Sequence, residues 1–242
     1  MSVFYILVDY DNLEKNACIS VGQSASAIME IVRNLDQKSA FFNSSSKLQN
    51  INILLYGGWF FYDKLSYMAQ DLRRQINCDF PQLYRLKSNI QINVQCEMVY
   101  SIFSLGKSNF FYATYRQYPA RFGIDKKYTK CCKDGDICVD FIREWIKNKK
   151  CCYCSTENEN LFVSIGQKMV DSMIFCDLHF LSQSKENMIA VVSSDDDMIP
   201  VIFQVNVMSD KIYHVFTLPK YGYFFSKFYD KIKPANYKCV VL

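Results

Sequence analysis

Three largely apolar runs, VFYILVD at 3–9, INILLYGG at 51–58 and MIAVVSS at 188–194, most constrain how this chain can fold. Aromatic and β-branched residues follow one another there without the polar alternation of a half-exposed strand, which is the pattern of strands covered on both faces. Helical spacing separates them. Ile28, Ile31, Val32 and Leu35 recur at that spacing from about Ser24 to Leu35, as do Leu65, Met68, Ala69 and Leu72, and Val170, Ile174, Leu178 and Leu181 after Gly166. Strands alternating with helices predict an α/β fold with a mainly parallel central sheet and helices on both faces.

Other elements are expected in between. INVQCEMVYSIFSL contains a strand, MIPVIFQVNVM a helix and KIYHVFTL a further strand, while Asp63 is expected to cap the helix that ends in Arg73 and Arg74. A chain of 242 residues, 50% of them hydrophobic, can bury one large core, so a single domain over 1–242 is expected, with a cysteine-containing insertion at about 126–160.

Acidic clusters stand at the ends of two of the buried runs and inside one helix. They are Asp9 and Asp11 in ILVDYDNL, Asp195, Asp196 and Asp197 in AVVSSDDDMIP, and Asp171 and Asp177 in QKMVDSMIFCDLHFL. In open α/β sheets ligands bind beyond the carboxyl ends of the strands. Asp9 and Asp11 share a face if the strand continues through them, and Asp195 and Asp197 have the same spacing ahead of a helix. On an ideal helix Asp171 and Asp177 point roughly 120° apart, so Asp171 is the site residue of that pair and Asp177 an acceptor for a lysine or arginine, or solvated.

Converging carboxylates repel by about 4 kcal/mol per pair at ~4 Å in an effective dielectric of about 20. A divalent cation relieves this, and an all-carboxylate set suits Mg²⁺ or Mn²⁺ and phosphate chemistry rather than zinc. Taken singly, each acidic pair reads equally well as a helix cap or a solvated loop end.

These segments, in this order, resemble the NYN family of the PIN-like nuclease superfamily. ILVDYDNL is similar to its opening strand motif, an aspartate followed three residues later by asparagine. QKMVDSMI is similar to its lysine-glycine-valine-aspartate helix, and VVSSDDDMIP to its Ser-Gly-Asp-x-Asp-Phe-x-Pro motif. The resemblance implies a PIN-like three-layer sandwich, with Asp9, Asp171, Asp195 and Asp197 as catalytic and Mg²⁺- or Mn²⁺-binding acids and Asn12 orienting the site. Met169 stands where the family has glycine, and Met198 where it has an aromatic residue. The implied activity is metal-dependent cleavage of nucleic acid, RNA more often than DNA, by an endonuclease.

Two other functions suit some of the same residues. A haloacid-dehalogenase-like phosphatase would use Asp9 and Asp11 as nucleophile and acid/base pair, Lys168 as its charge-stabilising lysine, and Asp195 and Asp196 as metal acids. It lacks the expected threonine or valine after Asn12 and leaves Asp171 idle. A nucleic-acid-binding module that retains the fold without the chemistry is the non-enzymatic alternative.

The net charge of +4 suits a polyanionic partner once the acids are gathered in a site. Lys168, Arg116 and Arg121 are candidate nucleic-acid contacts, the arginines in an aromatic and basic stretch, Asn109 to Arg121, that could stack bases or simply pack in the core. Arg73 and Arg74, Lys126 and Lys127, and Lys147, Lys149 and Lys150 are candidate phosphate contacts, although most runs of this kind are solvated faces.

MSVFYILVDYDNL has no basic n-region, and no apolar run approaches the roughly 18 uncharged residues a bilayer requires, so a soluble cytoplasmic protein with no membrane partner is expected. The 11 cysteines then read as reduced thiols or metal ligands. Cys151 and Cys154 form a C-x-x-C clamp that could share a structural Zn²⁺ with Cys132 and Cys138, although unrelated thiols give the same pattern. The aromatic stretch YGYFFSKFYDK reads as an edge of the core or a contact between subunits, which leaves a homodimer open.

Overall fold

The elements run β1 (Ser2–Asp9), α1 (Tyr10–Ala17), α2 (Ser24–Lys38), β2 (Leu48–Tyr56), β3 (Phe60–Phe61), β4 (Lys64–Leu65), α3 (Tyr67–Asp79), β5 (Gln82–Arg85), β6 (Gln91–Met98), β7 (Tyr115–Pro119), β8 (Val163–Gln167), α4 (Val170–Ser182), β9 (Met188–Val192), α5 (Ile199–Met208), β10 (Ile212–Phe216) and β11 (Lys238–Val241). They are seen in a computed structural model, which describes residues 2–17, 24–38, 42, 48–61, 64–103, 115–119, 147–148, 163–167, 169–217 and 231–241. Contacts divide the chain into two units, one of residues 1–114 and 167–242 and the other of residues 115–166.

The first unit holds a seven-stranded sheet in the order β11, β10, β9, β1, β2, β6, β5. Every neighbouring pair is parallel except β5 against β6. This is the expected α/β architecture with a mostly parallel sheet. The chain first builds outward from β1 through β2 to β6, then returns to the other side of β1 at β9, so the strand order reverses between β1 and β9.

Burial explains the apolar runs. All five residues of β9 are buried, and in β1 alternate side chains serve opposite faces. Phe4, Ile6 and Val8 enter one cluster with Ile28, Val32 and Leu35 of α2 and Leu72 of α3, while Leu7 enters the other with Ile174 and Leu178 of α4 and Ile202 of α5. A strand packed on both sides has no polar positions to spare. Each such side chain stabilises the fold by about 1.5–3 kcal/mol.

Local signals differ from expectation at three places. Helix α3 is capped by Ser66, whose Oγ accepts the Ala69 N–H at 3.2 Å, rather than by Asp63. It runs on to Asp79, so Arg73 and Arg74 lie in its middle, exposed, and its last turn holds no basic residue. Strand β1 stops at Asp9 and α1 begins at once with Tyr10, which packs against Trp59 with ring centroids 5.3 Å apart.

In the second unit, β7 and β8 are hydrogen-bonded neighbours. The proposed zinc ligands Cys132, Cys138, Cys151 and Cys154 lie outside the described residues, as do Lys168, Arg121, the side chain of Arg116 and the YGYFFSKFYDK stretch. Among the described residues, no helix is long and apolar enough to cross a membrane.

Candidate functional site

The reversal of strand order opens its crevice at the carboxyl ends of β1 and β9, and the acids gather there. Asp9 is the last residue of β1, paired with Tyr56 of β2 on one side, while its neighbour Val8 pairs with Val192 of β9 on the other. It is fully buried. Alternation from Leu7 places its side chain on the face that carries α4 and α5.

Asn12 folds back from the first turn of α1, and its Nδ2 donates to Asp9 Oδ2. The Ser193 hydroxyl donates to the same oxygen at 3.4 Å. Asp9 Oδ1 is buried without a hydrogen-bond partner. Burial, with the charges of Asp171 and Asp11 added, raises the Asp9 carboxyl to about 6 against the pull of its Asn12 hydrogen bond.

Asp171 comes from the first turn of α4, and its Oδ1 is likewise buried and unpartnered. Its carboxyl is raised by burial and then by the charges of Asp195 and Asp197. Met169, the residue just before α4, is in the left-handed conformation with φ 67° and ψ −3°. Glycine would carry no Cβ penalty in that conformation.

Asp195 stands just past β9 and caps a short 3-10 turn, Asp196–Met198, its Oδ1 accepting the Asp197 N–H at 3.1 Å. Capping and a site role are therefore compatible, since capping engages one oxygen of two. The Ser193 Oγ accepts the Asp195 N–H at 3.1 Å, which ties this turn to Asp9. Asp196 and Asp197 are exposed.

The fold thus brings Asp9, Asn12, Asp171, Asp195 and Asp197 near one another, as the mutual repulsion that adds to burial in raising Asp9 and Asp171 and the hydrogen bonds through Asn12 and Ser193 record. Asp9 and Asp11 do not share an extended strand face, because helix α1 intervenes. Asp177 departs from both of its expected roles. It is fully buried, accepts the Tyr56 hydroxyl at 2.8 Å and the Phe103 N–H at 2.6 Å, and burial raises its carboxyl to about 6.

No role was expected of Ser193 or of His214, a buried β10 side chain whose Nε2 lies 3.0 Å from the Ser193 carbonyl oxygen. Only the pairing of β9 with β10 brings them together.

The donor set is all oxygen, and two of its oxygens are buried with nothing to bond, a combination that suits a hard cation such as Mg²⁺ or Mn²⁺. Among the described residues, no three His, Cys, Asp or Glu side chains are close enough as they stand to hold a metal. No model of a protein family, no curated protein and no solved structure matches the chain.

Proposed function

We propose that this chain is a divalent-metal-dependent nuclease with a PIN-like three-layer sandwich, an endonuclease acting on RNA in preference to DNA. The observation that carries the proposal is the pair of buried, unbonded carboxylate oxygens, Asp9 Oδ1 and Asp171 Oδ1, at the reversal of strand order. Leaving such oxygens buried and charged is costly, and their pKa values are raised accordingly. A cation drawing the carboxylates inward relieves that cost.

Asp9 and Asp195 would hold the principal ion, with Asp171 and Asp197 completing its shell or aligning the attacking water. When bound, Mg²⁺ or Mn²⁺ supplies a water acidic enough to attack phosphorus and a counter-charge for the leaving oxygen. The chain's own contribution is placement. Asn12 and Ser193 hold Asp9 Oδ2 and so orient Oδ1, and the cap made by Asp195 Oδ1 directs its second oxygen away from the turn. Lys168, Arg116 and Arg121 belong to the same proposal as phosphate contacts, and Cys132, Cys138, Cys151 and Cys154 as ligands of a structural Zn²⁺.

The phosphatase alternative needs Asp9 and Asp11 side by side on an extended strand end, and the start of α1 at Tyr10 gives it no support. The deciding experiment incubates the protein with labelled single- and double-stranded RNA and DNA in Mg²⁺, Mn²⁺ or EDTA, beside Asp9→Asn. Cleavage that requires the metal and Asp9 supports the nuclease. RNA binding indifferent to EDTA with no cleavage points to an inactive module, and turnover of p-nitrophenyl phosphate alone points to the phosphatase.

A further inference from the structure

His214 lies fully buried in β10, one strand away from the acidic cluster. Its Nε2 is 3.0 Å from the Ser193 carbonyl oxygen and its Nδ1 is 2.7 Å from the Tyr237 hydroxyl. A carbonyl oxygen only accepts, so Nε2 carries the proton. Burial keeps the ring neutral, with its pKa lowered to about 4, so Nδ1 is bare and accepts the Tyr237 O–H. Two neighbours thereby select one tautomer.

What this ring holds is the peptide on which the site turns. The Ser193 N–H donates to the Val215 carbonyl at 3.2 Å, and the Ser193 carbonyl accepts from His214, so β10 grips that residue on both sides. Its Oγ meanwhile donates to Asp9 Oδ2 at 3.4 Å and accepts the Asp195 N–H at 3.1 Å. Next in sequence, Ser194 Oγ accepts the Thr217 N–H at 2.9 Å, beyond the end of β10. A rotation of the Ser193 peptide would carry its hydroxyl away from Asp9 and Asp195 together.

We propose that His214 is a positioning residue for the acidic site, fixing through its Nε2–H the turn that ties Asp195 to Asp9 through the Ser193 hydroxyl, with Tyr237 selecting the tautomer. The proposal deepens the nuclease reading and rests on it for its consequence in metal binding. Residues that orient metal ligands without touching the metal change affinity by about 10- to 100-fold when removed.

The test uses the full chain, with His214→Phe, His214→Gln and Tyr237→Phe beside the unsubstituted protein. Mn²⁺ affinity is measured by calorimetry, and the backbone amides of Asp195 and Asp197 are followed by NMR in EDTA. His214→Phe is expected to weaken Mn²⁺ binding about 10- to 100-fold and to shift both amides. His214→Gln, whose side-chain N–H can reach the Ser193 carbonyl, is expected to recover most of the affinity. A purely structural role would lower thermal stability without moving the affinity of the folded protein or giving this rescue.

Unchanged affinity and unmoved amides in His214→Phe overturn the proposal. An unsubstituted protein that takes up no Mn²⁺ overturns the nuclease reading, and the two amides, read without metal, then decide the role of His214. Should His214→Phe fail to fold, Tyr237→Phe decides, unmoved amides and unchanged affinity again overturning the proposal.

Discussion

The Tyr56 hydroxyl donates a 2.8 Å hydrogen bond to Asp177 Oδ2, joining the end of β2 to the middle of α4 beneath the acidic site. Asp177 is fully buried, and a carboxylate there depends on its donors. Among the described residues, Tyr56→Phe leaves Asp177 the Phe103 N–H alone and is expected to cost about 1.5–3 kcal/mol, read from urea unfolding. Stability unchanged by this substitution would mean that Asp177 is already neutral in the folded protein.

Asp9→Asn is expected to act in opposite directions on activity and stability. It removes a buried charge whose Oδ1 has no partner, so the protein in EDTA near pH 7.5 should gain on the order of 1–3 kcal/mol while Mn²⁺-dependent hydrolysis disappears. Unfolding curves and a cleavage assay on the same preparation check both halves. Loss of stability together with activity would make Asp9 a structural residue.

Metal should stabilise the folded chain. Binding at a free concentration of about 100 times Kd contributes roughly 2.7 kcal/mol, a rise in Tm of about 5–10 °C for a protein of this size. Thermal melts with Mn²⁺ are expected to show that rise in the unsubstituted protein and not in Asp9→Asn. Equal shifts in both would place the ion elsewhere.

Without metal, Asp9, Asp171, Asp177 and His214 shape the pH dependence, burial raising the Asp171 carboxyl as it raises the other two acids. Asp9 and Asp177 titrate near 6 when folded against 3.8 ordinarily, so the folded state binds the proton more tightly and each adds up to about 3 kcal/mol as pH falls from about 6 to about 4. His214 works the other way. Its pKa is about 4 when folded against 6.5, so the unfolded state takes up the proton first and about 3 kcal/mol is lost as pH falls from about 6.5 to about 4. Urea unfolding in EDTA from pH 7 to 4 should therefore show a net gain, and Asp9→Asn should flatten it. A gain of the same size in Asp9→Asn would assign it to other groups.

Met169 offers a test of local backbone strain. At φ 67° a side chain is disfavoured, and Met169→Gly is expected to raise stability by about 1 kcal/mol in urea unfolding. Destabilisation instead would mean that the packing of the Met169 side chain outweighs the strain.

The sequence was most legible where burial is uniform. β1, β2 and β9 have apolar runs because both faces are covered, and those runs also placed Asp9 and Asp195 at strand ends. The edge strands were not legible, since Gln82–Arg85 and Lys238–Val241 are short and largely unburied and their composition resembles that of loops. Asp63 and Ser66 both suit a helix start, and only the folded hydrogen bond to Ala69 separates them. Asp177, Ser193 and His214 take their roles from partners many residues distant, in Tyr56, Asp9 and Tyr237, which no local spacing encodes.

Because β9 docks against β1 only after the intervening chain has been made, the clustered carboxylates cannot exist in a shorter nascent segment. A growing polypeptide that ends before β9 carries Asp9, Asp11 and Asp171 but lacks Asp195 and Asp197, so the full set of acids is not assembled. The gathering of these acids thus comes late in synthesis, close in time to completion of the sheet.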